Sequence, residues 1–173
     1  MIPILIEDGR LLISFTTFNR PAINGSRNDG KSERWNKTLS WTIPYTIENG
    51  FGTPLFICET CETGFPVLAN NHNADKFIEN IYYACSSQTE KSIIFHYSNS
   101  GGQSWSAEIS ISQFTKNDRS KRNPFTGMPQ VTVNSKGVIG IIWQNRAESS
   151  KDKCQYLFFN TSLDGGKSFL KPV

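Results

Sequence analysis

Ser162-Leu163-Asp164-Gly165-Gly166-Lys167-Ser168-Phe169 carries the most architectural information of any segment in the chain. Its residue types are those of a tight hairpin. A carboxylate two residues into the turn accepts hydrogen bonds from backbone N–H groups. Glycine takes backbone angles closed to other residues, and the aromatic residue at the end anchors the turn in a core. About 64 residues earlier, Ser98-Asn99-Ser100-Gly101-Gly102-Gln103-Ser104-Trp105 repeats the pattern with serine in place of the aspartate. A hydroxyl caps the same turn more weakly than a carboxylate. One period further back, Ser40-Trp41 is all that corresponds.

A second landmark keeps nearly the same step. Pro3, Pro66 and Pro129 each open an apolar run: Ile4 to Ile6, Val67 to Ala69, and Val131 with Val133. Two landmarks in step across three copies mark a tandem repeat. The third copy reads most clearly as four strands. Pro129 to Asn134 alternates apolar and polar, and Gly137 marks a turn. Val138 to Gln144 is nearly continuous in apolar residues, as in a strand buried on both faces. Gln155 to Thr161 is an aromatic-rich third strand, and Phe169 starts the fourth. The second copy matches, with Pro66 to Asn70, Ile81 to Ser86, Ser92 to Tyr97 and Ser104 to Ile111. In the first copy, an insertion from Arg20 to Lys37 blurs the third strand, and Leu39 to Ile47 reads as the strand carrying Trp41. No segment has a 3.6-residue period.

Four-stranded units in tandem suit a β-propeller, whereas a sandwich does not repeat one landmark at every fourth strand. The expectation is therefore an all-β chain forming one partial propeller domain, 1–173. Its three four-stranded blades lie at approximately 1–50, 64–113 and 127–173. Three blades do not close a ring, since propellers use about four to eight. Either the chain is a fragment of a longer protein, or self-association closes the ring.

Composition narrows the function. The 173 residues are 37% hydrophobic and 19% charged, with a net charge of +3. This excludes disorder and gives no argument for a nucleic-acid partner. No apolar run approaches the roughly 18 residues that span a bilayer. Glu7, Asp8 and Arg10 interrupt the apolar start, so no signal peptide is read there, and the sequence sets no location. Cys58-Glu59-Thr60-Cys61 is a lone CxxC without the second ligand pair of a zinc site. Cys58, Cys61, Cys85 and Cys154 read as a loop disulfide or as free thiols, His72 and His96 as surface or strand residues, and no metal or cofactor is expected.

The box at Ser162 to Phe169 fits Ser-x-Asp-x-Gly-x-Ser/Thr-Trp/Phe and resembles the Asp box, or BNR repeat, of the sialidase (neuraminidase) superfamily. That resemblance covers almost the whole chain and implies a six-bladed ring of which about half is present. It also implies that the boxes are structural and lie on the side of the ring away from the ligand. The structural residues are then Ser162, Asp164, Gly166, Ser168 and Phe169, with Ser98, Ser100, Gly102, Ser104 and Trp105 in the second box. The family opens on Arg-Ile-Pro. Ile2-Pro3 matches, but Met1 stands where the arginine should be.

Sialidases grip a substrate carboxylate with arginines, because a guanidinium offers two parallel hydrogen bonds. By analogy the substrate-binding candidates are Arg20 and Arg146, each closing a second strand, together with Arg119 and Arg122. Arg27 and Arg34 lie in the same class of loop, where most arginines are simply solvated. Asp29 is the weak acid/base candidate, with a turn residue as its alternative. No pair matches the family's tyrosine nucleophile and its glutamate. The implied function is that of a sialidase-like glycoside hydrolase relative, acting on or binding sialic-acid-type glycans and incomplete as an enzyme. The alternatives are a non-catalytic glycan- or protein-binding propeller module and a purely structural repeat.

Overall fold

The computed structural model describes residues 4–6, 8–19, 37–46, 49–53, 55–58, 63–71, 76–87, 92–111, 125–146 and 155–173. They form three antiparallel sheets that follow one another along the chain. The first contains β1 (Ile4–Leu5), β2 (Leu11–Asn19), β3 (Lys37–Thr46), β4 (Gly50–Phe51) and β5 (Leu55–Cys58), in the order β1-β2-β3 with β4 and β5 both paired to β3. The second runs β6 (Thr63–Asn70), β7 (Ile81–Ser87), β8 (Ser92–Ser98) and β9 (Ile109–Ser110). The third runs β10 (Phe125–Val133), β11 (Ile139–Arg146) and β12 (Gln155–Ser162).

In the third blade the expected fourth strand is present as a hydrogen-bonded edge rather than as a regular strand. Phe159 and Val173 exchange backbone bonds of 2.9 and 3.0 Å, and the Leu170 N–H donates to Thr161 at 2.9 Å. In the first blade the strand from Lys37 pairs without interruption, from Asn19↔Lys37 to Leu11↔Tyr45. This overturns one expectation. Trp41 lies mid-strand opposite Phe15, so Ser40-Trp41 is not a remnant of the box. The equivalent turn of blade one follows Thr46, whose hydroxyl accepts the Asn49 N–H at 3.0 Å. A serine-aromatic pair carries too little information to fix a turn by spacing alone.

The sheets stack face to face through two cores. The first joins Ile4, Ile6, Leu12 and Ile57 of blade one to Leu68, Ile81, Tyr83, Cys85 and Ile94 of blade two. The second joins Tyr82, Ala84, Ile93, Phe95 and Ile111 of blade two to Ile139, Ile141 and Trp143 of blade three. Period-two alternation assigns the faces: along β7, Ile81, Tyr83 and Cys85 face blade one, and Tyr82 and Ala84 face blade three. Blade two is thus covered on both sides, and all of β7 is buried. The first strands of successive blades are neighbours, β1 to β6 and β6 to β10, which places them innermost, around a shared axis. No described helix is long and apolar enough to cross a membrane.

Candidate functional site

Each blade has two ends, and they differ in chemistry. At one end lie the turns joining first to second strand and third to fourth. In blade three this turn is the box. Ser162 Oγ donates to Asp164 Oδ1 (2.9 Å) and accepts the Gly166 N–H (2.9 Å). Asp164 also accepts the Ser168 N–H (2.9 Å) and the Ser168 hydroxyl (2.5 Å). Partial burial pushes the Asp164 carboxyl up. The bonds from Ser168, Ser162 and the Lys167 backbone together outweigh this and hold it below the usual aspartate value. In blade two, Ser100 Oγ accepts the Ser104 N–H at 2.9 Å and Ser98 Oγ accepts the Gly102 N–H at 2.9 Å, so the shape persists with a neutral cap.

The aromatic residue closing each box enters the seam with the preceding blade. Trp105 meets Tyr83 edge-on at 6.0 Å, and Phe169 meets Phe95 at 4.9 Å. The glycines are required by that seam. A Cβ on Gly165 would lie 2.7 Å from the Phe77 ring, and one on Gly166 would lie 2.7 Å from Phe95, both at positive φ. The seam between blades one and two is built alike, with Arg10 over Gly101 and Leu12 over Gly102. A cleft of about 210 Å³ lies beside Arg10, lined by Asp8, Asn70, Glu79 and Gln103 among others. Asp8 pairs with Arg10 at 2.6 Å, and the hydrogen bond from that guanidinium lowers the Asp8 carboxyl below its usual range. This cleft lies at the box end, away from where the resemblance places a ligand.

At the opposite end, the blade-three ladder closes on Phe125↔Arg146 and Arg146↔Gln155. Arg146 therefore ends its strand at the face expected for ligand contact. Arg20, Arg119, Arg122 and Asp29 lie outside the described residues, as do Arg27 and Arg34. Close to this end the register of β10 on β11 slips. Gly127 pairs with Gln144 and Gln130 with Ile142, so Met128 and Pro129 share the single partner Trp143. The ladder of β6 on β7 slips at the corresponding place, between Thr63 and Val67. Proline has no N–H to give to a ladder, so Pro66 and Pro129 account for the slip. Met128 adopts φ +53° and leaves its side chain 55% exposed between buried Gly127 and Pro129. The Trp143 indole N–H and Asn145 Oδ1 are buried without a hydrogen-bond partner.

Sequence reasoning passed over Met128. Its signal was the residue before each landmark proline, Phe65 and Met128. Cys85, on the blade-one side of β7, is disulfide-bonded, which decides between bridge and free thiol for that residue; the other three cysteine side chains are not among those described. His96 is buried in β8, not at the surface. No group of three potential metal ligands occurs among the described residues. The described carboxylates are Asp8, Glu79 and Asp164 at the box end and Glu108 beside β9 near His96. None stands at the far end.

Solved structures with the same arrangement are propeller glycosidases. An α-L-arabinofuranosidase from Fusarium graminearum with an iminosugar inhibitor matches with TM-score 0.62 at 16% identity. The same organism's α-L-arabinofuranosidase with arabinobiose matches at 0.59 and 16%, and Penicillium chrysogenum α-L-arabinanase with arabinobiose at 0.58 and 15%. The chain has the fold of a partial β-propeller. Its alignment covers 99% of this chain but 46 to 47% of those proteins, so the chain spans about half their length. No family model and no curated protein matches the sequence. At this identity the likeness is one of fold.

Proposed function

We propose that this chain supplies three blades of a propeller that holds a glycan at the axial end opposite the boxes, in a glycoside hydrolase or a binding module derived from one. One observation carries the reading: alignment over 99% of the chain with propellers solved in complex with arabinobiose or an iminosugar. An arabinose-containing glycan is accordingly the first ligand class. Closing the ring takes further blades, from a longer polypeptide or from a second copy.

The Asp box and Ile2-Pro3 favour a second reading, a sialic-acid-type glycan gripped by Arg20, Arg146, Arg119 and Arg122, with Asp29 as acid/base. Assaying the chain and any longer form of it separates the two. The first reading expects binding of arabinobiose or arabinan, with hydrolysis of an aryl α-L-arabinofuranoside if catalytic blades are present. The second expects a fluorogenic sialoside to be turned over and Arg146→Ala to abolish this. Silence towards all of these sugars contradicts both.

A further inference from the structure

We propose that Met128 is a specificity-determining contact of the axial site, where its thioether packs against the apolar face of a neutral sugar ring. This rests on the glycan reading above and assigns one of its contacts.

Three features of Met128 coincide. It lies on β10, the innermost strand of its blade, in the half of that strand nearest Phe125 and Arg146 and away from the box. Its side chain is 55% exposed, although Gly127 and Pro129 on either side are buried. Its backbone sits at φ +53°, a region that unbranched L-residues enter only under constraint and that glycine or asparagine occupies readily.

The proline explains only part of this. With no N–H, Pro129 forces the ladder to skip, but the skip demands neither a positive φ nor an exposed apolar side chain. A glycine at 128 would meet the backbone requirement with less strain. Bulges near functional sites re-aim a side chain, and strained residues concentrate where a ligand is held. Methionine suits the role chemically. Its soft, flexible thioether adapts to an irregular apolar surface such as the C–H face of a sugar, and it offers no charge to a carboxylate. Met128 therefore favours a neutral ring over an acidic one.

The test uses the full chain and arabinobiose as probe, with affinity by calorimetry and melting temperature in parallel. Met128→Gly should melt no lower than wild type, since glycine accepts φ +53°, yet bind arabinobiose about tenfold more weakly, the loss expected when a buried contact is truncated. Met128→Leu keeps the apolar body and should bind within about twofold of wild type. Leu163→Asn, exposed on the box turn at the other end, should leave affinity unchanged. Unchanged affinity in Met128→Gly while wild type binds overturns the assignment and spares the glycan reading. A lower melting temperature in Met128→Gly contradicts the strain on which the argument stands. Failure of wild type to bind arabinobiose removes the arabinose reading, and this proposal with it.

Discussion

Asp164 shows what a single side chain does in this fold. Its carboxylate ties Ser162 and Ser168 across one turn, whereas Ser100 in the sister turn has one oxygen for the same work. Asp164→Ala should cost about 1–2 kcal/mol by leaving turn donors unpaired, read from urea denaturation. The sign of its pH dependence follows from the lowered carboxyl. The Asp164 contribution is full above the ordinary aspartate value of 3.8 and is lost as pH falls through the lower folded value. Asp164→Asn should flatten that acid limb. His96 acts in a higher window. Burial lowers its pKa below 6.5, against the opposing pull of the Ser106 carbonyl and Glu108. The unfolded chain then binds more protons just below 6.5, so stability falls as the pH drops from 7 towards 5. His96→Phe should remove that slope in melts across the range. Both boxes were readable in sequence because their chemistry is local. The strain at Met128 was not, since a positive φ comes from how β10 sits on β11.

At the scale of elements, the seams decide stability. Phe95 is fully buried, stacked with Tyr82 and edge-on to Phe169. Phe95→Ala should destabilise by about 3–5 kcal/mol. Gly165→Ala places a methyl group against the Phe77 ring at positive φ, and should cost about 1–3 kcal/mol. Adding Phe77→Ala should recover part of that loss, and a double-mutant cycle in urea measures the coupling. If the two substitutions add, Phe77 is not what the missing side chain makes room for. The strands of blade two were legible because burial on both faces leaves continuous apolar runs such as Ile81 to Cys85, whereas Val138 to Gln144 of blade three, read as buried on both faces, turns Ile142 to a face open to solvent. Blade one was legible in β2 and misread at Trp41. There the insertion from Arg20 to Lys37 shifts the copy, and two residues cannot show whether they stand in a strand or a turn.

At the scale of the whole molecule, blade three presents an outer face to solvent. Ile142, Leu157 and Phe159 lie on it, with exposures of 39%, 64% and 45%. Ladder partners place them together, Ile142 opposite Phe159, on the side away from Ile141, Trp143 and Phe158. Exposed apolar patches of this kind commonly mark interaction sites. If two copies of this chain meet through that face, Leu157→Lys with Phe159→Lys should reduce self-association in light scattering without altering the circular dichroism of the sheets. Unchanged association means the chain meets its neighbours elsewhere. The three successive sheets were legible as a repeat count, but the ligand was not, since the arginine-bearing loops share no pattern with one another.

The proposed glycan site lies at the axis, on the end away from the boxes. Amide chemical-shift mapping on the full chain titrated with arabinobiose tests it most directly. The expected result is a set of saturable shifts at Gly127, Met128, Gln130 and Arg146, with Gly101, Gly165 and Gly166 unmoved. Shifts confined to Asp8, Asn70, Glu79 and Gln103, or none at all, would contradict it.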